Sequence, residues 1–429
     1  MNDLVALLLP GGDRFVTAVA RAWDAGDAVL PLDPGAPRAH TDRLLRALRP
    51  THVVESDGEQ RALDDGEPVH DDDALVIATS GTTGEPKGVV HTRRGVEQAA
   101  FATATATGVA DDTWWLACLP LSHVGGFSVV SRAMVTEARL EVHPSFVAAD
   151  VDDAARRGAT HVSLVPTVLD RIDARPWRTI LLGGSAIPDQ RPANTIATYG
   201  MTETLGGVVY DGLALPGVSV RIVDDLHDDQ RSDDQHPDDR RRVVPVDPGA
   251  VGAIEISSAT LLRCYRDGTD PGGEGTDPVG PDGWYRTGDL GSVDPSTGRL
   301  RVLGRADDLI ITGGEKVWPA PVESILAMDH RVHEVAVVGR PDPEWGARVV
   351  AVVVPTDRAE PPTLQGLRDL VRTELPRAAA PKELELVDSL PRTGLGKIRR
   401  TLLSPGGPRH DGPAPDGPIH DGPESSPHA

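Results

Sequence analysis

From residue 79 the chain reads Thr79-Ser80-Gly81-Thr82-Thr83-Gly84-Glu85-Pro86-Lys87-Gly88-Val89. Hydroxyls, glycines and one lysine at this density suit the holding of a polyphosphate. Glycine lets backbone amides turn towards an anion with no side chain in the way. Hydroxyls add donors, and Lys87 adds a positive charge. The spacing is not that of a Walker loop, which needs glycine before the lysine and Ser or Thr after it. Pro86 and Gly88 stand in those places.

Four more stretches follow in order: Tyr199-Gly200-Met201-Thr202-Glu203, Trp284-Tyr285-Arg286-Thr287-Gly288-Asp289-Leu290, Gly304-Arg305-Ala306-Asp307-Asp308 and Pro391-Arg392-Thr393-Gly394-Leu395-Gly396-Lys397-Ile398. Taken singly each has an ordinary reading. A Thr-Glu pair suits an N-cap with its first-turn acid, Asp289 suits a turn, and a late lysine suits a solvated surface. Taken together, the five resemble the ordered motifs of the adenylate-forming superfamily, which includes acyl-CoA synthetases, peptide-synthetase adenylation domains and luciferases. The resemblance spans nearly all of the foldable chain.

That resemblance implies a chemistry. A carboxylate is a poor electrophile, and joining it to AMP supplies a leaving group once the phosphate charge is neutralised. ATP, Mg²⁺ and coenzyme A are the implied small-molecule partners. Thr79, Ser80, Gly81, Thr82, Thr83, Gly84 and Lys87 would cradle the phosphates. Gly183, Gly184 and Ser185 would lie beside the adenine, with Tyr199 and Gly200 against it. Thr202 would bond the α-phosphate and Glu203 would hold Mg²⁺, an ion suited by one or two carboxylates plus phosphate oxygens. Asp289 and Arg305 would bind the ribose, Asp307 would be the hinge of a mobile domain, and Gly313 and Gly314 would line a pantetheine tunnel. Lys397 would bridge the substrate carboxylate and the α-phosphate during adenylation.

The elements that must position these residues are visible as alternating patterns. Residues 4–9, 28–32 and 51–55 read as strands, and 38–48 as a helix. Residues 13–25 read as a helix with Phe15, Val16, Val19, Ala22 and Trp23 on one side. The apolar run 74–78 reads as the buried strand entering the phosphate stretch. This βαβ rhythm predicts a sheet covered by helices on both faces. Further on come a helix at 95–106, strands at 113–119, 160–165 and 179–182, and a helix starting at Val165-Pro166-Thr167. Between 186 and 198, Pro188 and Pro192 argue that a helix usual in the family is shortened or lost.

The second domain is expected to begin close to Arg305. Residues 300–303, 334–338 and 349–354 read as strands, and 322–328 and 364–375 as helices. The expected fold is therefore α/β, by the resemblance a large N-terminal domain of stacked β-sheets flanked by helices (1–305) with a small mobile α+β C-terminal domain (306–403). An acidic insertion at about 224–247, a Gly/Pro/Asp loop at about 267–283 and a polar tail at 404–429 read as mobile or disordered. The first subdomain reads as abbreviated relative to the family.

Composition sets limits. The 429 residues are 39% hydrophobic, enough for two or three domain cores. A net charge of −22 argues against nucleic acid or an anionic membrane as partner. Two cysteines, Cys118 and Cys264, do not suggest a disulfide framework. No apolar run approaches the ~20 residues that span a bilayer, and no basic segment marks a signal peptide. The expectation is a cytoplasmic protein, with homodimerisation left open.

The acid substrate is read from fewer residues. Pro120-Leu121-Ser122-His123 resembles the family's Pro-Leu-x-His motif, which implies that His123 walls the acyl pocket, with Gly125, Gly126, Gly206 and Gly207 leaving width for an aromatic ring. Val165 would complete that wall. Residues 199–222 and 161–167 resemble the o-succinylbenzoate–CoA ligases of menaquinone synthesis. Such a substrate carries a second carboxylate, which needs a donor or cation once buried. Ser128, Ser131 and Arg132 are the candidates. The rival readings are another aryl or medium-chain acyl-CoA ligase, an enzyme passing its acyl group to a carrier protein, and a catalytically dead nucleotide-binding homologue.

Overall fold

The computed structural model describes residues 2–80, 86–185, 187–188, 190–224, 246–266, 278–392 and 398–403. Gly81, Thr82, Thr83, Gly84 and Lys397 lie outside the described residues, as do 225–245 of the acidic stretch, 267–277 of the next loop, and the tail from 404. The chain divides into two compact units, Met1–Leu309 and Ile310–Ala429. The strand Leu300–Arg305 and the short turn Ala306–Asp308 belong to the first, so the division falls after Asp307 rather than before it.

Among the described residues the first unit holds two seven-stranded sheets and one of four strands. The first sheet runs Cys264–Arg266, Pro86–Thr92, Asp73–Ser80, Ala28–Pro31, Leu4–Leu7, His52–Val54 and Gln60–Ala62. Its centre is parallel, built by the helices Asp13–Asp24 and Arg38–Leu48. In the first of these, Phe15, Val19 and Ala22 are buried, the i, i+4, i+7 stripe of a helix packed on a sheet. The pair Asp73–Ser80 and Pro86–Thr92 is antiparallel, with Thr79 opposite Lys87 and Ser80 opposite Pro86. The described ends of the expected phosphate stretch, Thr79-Ser80 and Pro86-Lys87, are thus held opposite one another by ladder hydrogen bonds.

The second seven-stranded sheet runs Leu213–Ala214, Gly206–Tyr210, Thr195–Met201, Thr179–Leu182, His161–Leu164, Trp114–Ala117 and Arg139–Val142. One apolar cluster joins the two large sheets, with Leu75, Ile77, Trp115 and Leu181 packed around Phe15, Val96 and Phe127 of the intervening helices. The helix Arg93–Thr107 starts directly from the phosphate hairpin. Thr92 Oγ1 accepts from the Gly95 amide at 3.1 Å, a cap worth ~1 kcal/mol. Gly108, at φ 65°, ends the helix.

The helix expected from Val165-Pro166 is a single turn, Pro166–Leu169. No helix occurs among the described residues between 187 and 194. The Tyr-Gly-x-Thr-Glu stretch, given no element from sequence, lies on the strand Thr195–Met201 and the 3₁₀ turn Thr202–Thr204.

The second unit pairs the long strands Val332–Asp342 and Gly346–Pro355, flanked by Ile310–Thr312, Glu315–Val317 and Glu383–Leu386. Val322 and Leu326 of the helix Pro319–Leu326, and Leu367 and Val371 of the helix Leu364–Glu374, bury against Val337, Val349 and Val353. Leu370 is partly buried on the same stripe.

Candidate active site

The residues expected against adenine and ribose lie where three strands meet. Tyr199 donates its hydroxyl to Asp289 Oδ2 at 2.8 Å. Asp289 lies on the strand Tyr285–Val293, in register with Arg305 of the neighbouring strand. Arg305 Nη1 stands 3.7 Å from Asp289 Oδ1 and donates to the Thr287 carbonyl at 3.1 Å. The three residues singled out for adenine and ribose are therefore in one network. Burial, with the Asp289 charge second, pushes the Tyr199 phenol far above its ordinary range, so it remains a donor.

Close backbone approach explains two glycines here. A Cβ on Gly200 would stand 1.8 Å from the Gly206 carbonyl oxygen, and one on Gly183 would stand 2.5 Å from Thr198 Oγ1. Gly184, at φ 84°, lies against Val165, whose Cγ1 a Cβ would meet at 3.5 Å. Ser185 is exposed beside it.

The Thr202-Glu203 turn meets residues that sequence reasoning missed. His91 Nε2 donates to the Thr202 carbonyl at 2.7 Å. His91 is fully buried, and burial pushes its pKa down to about 4, so the ring is neutral. Tyr265 donates its hydroxyl to Glu203 Oε1 at 3.0 Å and lies 3.2 Å from the Tyr285 hydroxyl. The Lys87 ammonium stands 5.3 Å from the Tyr265 ring centroid, so the phosphate lysine and the Thr-Glu acid share one tyrosine. The one available signal was an aromatic residue on a short run before a Gly/Pro/Asp loop.

Among the described residues no group of three or more His, Cys, Asp or Glu could hold a metal by itself. Glu203 Oε2 has no hydrogen-bond partner there. A single free carboxylate oxygen fits Mg²⁺, which keeps waters and takes its other oxygens from phosphates.

Several residues expected to form the acyl pocket lie along the helix Val124–Val135, whose N-cap is His123. Burial lowers the His123 pKa. Gly126 packs on the Pro120 carbonyl, where a Cβ would come within 2.4 Å, whereas one on Gly125 would meet nothing closer than 3.7 Å. Ser128, Ser131, Arg132, Thr103, Leu205 and Gly207 line a cavity, and Gly206 faces Ser128.

Arg132 is only 6% exposed. Its Nη2 donates to Ser128 Oγ at 3.3 Å and its Nη1 to Ser163 Oγ at 3.4 Å, while the guanidinium lies 4.6 Å from the Trp115 ring centroid. Among the described residues its Nε has no partner, and no carboxylate pairs with it. Burial pulls its pKa below the ordinary arginine value. A buried cation held by two long hydroxyl contacts and a ring face is under-compensated.

In the second unit, Gly313 and Gly314 form the two-residue turn between Ile310–Thr312 and Glu315–Val317. Both have positive φ, 59° and 80°, the requirement of a tight primed hairpin turn. Gly313 also lies against the Trp345 indole, where a Cβ would come within 2.6 Å.

The profile of the AMP-binding enzyme family matches residues 55–266, and that of the AMP-binding enzyme C-terminal domain matches residues 321–397. A protein of Mycobacterium tuberculosis (strain H37Rv) named "Probable 2-succinylbenzoate--CoA ligase" is 36% identical over 428 residues, 94% of this chain and 95% of that protein. The chain belongs to the AMP-binding enzyme family. Solved relatives share its architecture. The o-succinylbenzoate CoA synthetase (MenE) from Bacillus subtilis, in complex with the acyl-adenylate intermediate OSB-AMP, is 26% identical with a TM-score of 0.78, covering 94% of this chain and 88% of that one. The same enzyme in complex with ATP and magnesium ion gives a TM-score of 0.77 over the same shares. No helix among the described residues of this AMP-binding enzyme is long and apolar enough to cross a membrane.

Proposed function

We infer that the chain is an ATP-dependent, AMP-forming acid–CoA ligase whose acid is 2-succinylbenzoate, giving o-succinylbenzoyl-CoA for menaquinone synthesis. ATP, Mg²⁺ and coenzyme A complete its substrates and cofactor. The observation that carries the choice of acid is Arg132, a buried cation lining the acyl-side cavity with no carboxylate partner among the described residues. A diacid offers one carboxylate to the chemistry and the other to Arg132. Ser128 and Ser131 stand beside it as further donors.

In the first step the reacting carboxylate oxygen attacks the α-phosphorus of ATP, and the bond to pyrophosphate breaks. Bound Mg²⁺ supplies charge neutralisation on the phosphates. Tyr199, Asp289 and Arg305 hold the adenosine, and Lys87 stands at the mouth of the phosphate hairpin. By the family resemblance Thr202 bonds the α-phosphate and Lys397 bridges it to the acid as charge develops. Such transition-state contacts are worth about a hundredfold or more in rate. In the second step the CoA thiol attacks the acyl carbonyl and AMP leaves. The Gly313-Gly314 turn suits a slender pantetheine arm, and Asp307 would act as the hinge between the two steps. Both readings rest on the resemblance.

The experiment is pyrophosphate release with Mg·ATP and 2-succinylbenzoate, with and without CoA. The expected result is release that depends on this acid, with thioester formed only when CoA is present. Release with benzoates or fatty acids instead would keep the reaction and discard the acid. Transfer to a carrier protein with no need of CoA would discard the acceptor.

A further inference from the structure

The turn Thr202–Thr204 is fastened to the edge of the first sheet at three points. His91 holds the Thr202 carbonyl, the Leu262 amide donates to the Glu203 carbonyl at 2.8 Å, and Tyr265 holds Glu203 Oε1. The first two contacts fix the backbone, and the third fixes the carboxylate. The short strand Cys264–Arg266 is itself pinned. Arg263 donates through Nε and Nη2 to the two oxygens of buried Asp73, each at 2.7 Å. Arg266 donates to the carbonyls of Leu48, Arg49, Glu67 and Pro68. The Tyr265 hydroxyl is therefore a fixed point to which Glu203 is tied.

The proton inventory gives this contact a direction. An ionised carboxylate only accepts, so the single Tyr265 O–H is committed to Oε1. The Tyr285 hydroxyl, 3.2 Å away, must then be the donor to the Tyr265 oxygen. The result is a chain from Tyr285 through Tyr265 to Oε1, with Oε2 unpartnered among the described residues.

We propose that Tyr265 is a positioning residue that confines Glu203 to ligation through one oxygen and thereby favours Mg²⁺ over Ca²⁺. The proposal rests on the reading of Glu203 as the metal carboxylate. Mg²⁺ is small, octahedral and slow to shed water, and takes one oxygen per carboxylate comfortably. Ca²⁺ takes six to eight oxygens and readily uses both from one carboxylate. With Oε1 held by Tyr265, that second mode requires breaking a charge-assisted hydrogen bond.

The test is calorimetric titration with ATP in the absence of any acid, so that nothing turns over, in Mg²⁺, in Ca²⁺ and in EDTA. Tyr265→Phe keeps the ring beside Lys87 and removes only the hydroxyl. The expected result is a rise of about fivefold or more in the Ca·ATP to Mg·ATP affinity ratio, with metal-free ATP binding unchanged. Tyr285→Phe, which removes the donor behind Tyr265, is expected to move the ratio the same way by less. An unchanged ratio in both variants overturns the proposal. An equal loss of metal-free and metal-bound ATP affinity overturns it too, by marking a merely structural role. A Glu203→Gln variant that binds Mg·ATP like the parent removes the metal reading itself, and the proposal falls with it. None of these outcomes depends on which acid is the substrate.

Discussion

The cluster around Tyr199 and Glu203, proposed as the nucleotide wall, and the one around Arg132, proposed as the floor of the acyl cavity, solve opposite problems. On the wall, Tyr199, Asp289, Arg305, His91, Tyr265 and Glu203 are held by bonds between 2.7 and 3.7 Å among themselves and to nearby carbonyls. That surface is organised before any ligand arrives, which suits a site that must stabilise developing charge without reorganising. On the floor, Arg132 is buried with an Nε that has no partner among the described residues and two hydroxyl contacts of 3.3 and 3.4 Å. The first cluster is satisfied internally; the second holds a buried charge that an anion would relieve. On the proposed function, the difference separates what is common to the reaction from what selects the acid.

The largest expected effect tests the floor. Arg132→Met is expected to raise KM for the diacid about a hundredfold, while an arylbutyrate lacking the ring carboxylate changes less than about threefold. The same variant is expected to unfold at a higher temperature, because it replaces a costly buried charge with an apolar chain of similar length. A uniform loss across both acids, or a lower melting point, would collapse the contrast between floor and wall.

Asp289→Asn tests the wall. It removes the charge facing Arg305 and weakens the acceptor for Tyr199, and is expected to raise KM for ATP about tenfold. KM for the acid is expected to stay within about twofold of the parent, as read by pyrophosphate release at saturating co-substrate.

The smallest effect sharpens the comparison through pH. The folded pKa of His91, about 4, lies below the ordinary 6.5, so the unfolded chain takes up the proton first. Its contribution is intact above pH 6.5 and is lost as pH falls towards 4. Asp73, the nearby charge that opposes the shift, is already committed to Arg263. Urea unfolding at pH 7 and pH 5.5 is expected to show the parent losing on the order of 1 kcal/mol more than His91→Gln. Equal losses would mean that the ring titrates freely and does not hold the Thr202 carbonyl as a neutral donor.

Much of the frame was readable from periodicity. The helix expected at 38–48 is Arg38–Leu48, and the one expected at 13–25 ends one residue early at Asp24, buried on Phe15, Val19 and Ala22 as its pattern requires. These segments carry their own instructions, because an apolar stripe specifies one element against one surface. Thr195–Met201 does not: its residues show no alternation, and it is a strand because Thr179–Leu182 and Gly206–Tyr210 pair with it on either side. A strand was visible at 300–303; it runs Leu300–Arg305, and its place in the first unit comes from pairing with Tyr285–Val293. The motif residues were legible through resemblance. His91 and Tyr265 were not, since their partners Thr202 and Glu203 lie 111 and 62 positions away and only the tertiary fold brings them together.

The close contact of Gly200 with Gly206 also bears on how this chain could acquire a different substrate by mutation. A side chain at 200 would strike a carbonyl oxygen, and ones at 126 and 207 would meet neighbours at 2.4 and 2.8 Å. Backbone cannot step aside as a flexible side chain can, so single substitutions at 200 and 126 are dead ends for a laboratory lineage. Gly125, expected from the resemblance on the acyl side, has room and an ordinary helical backbone. Of the glycines compared it is the one where a methyl or hydroxymethyl group fits without striking backbone.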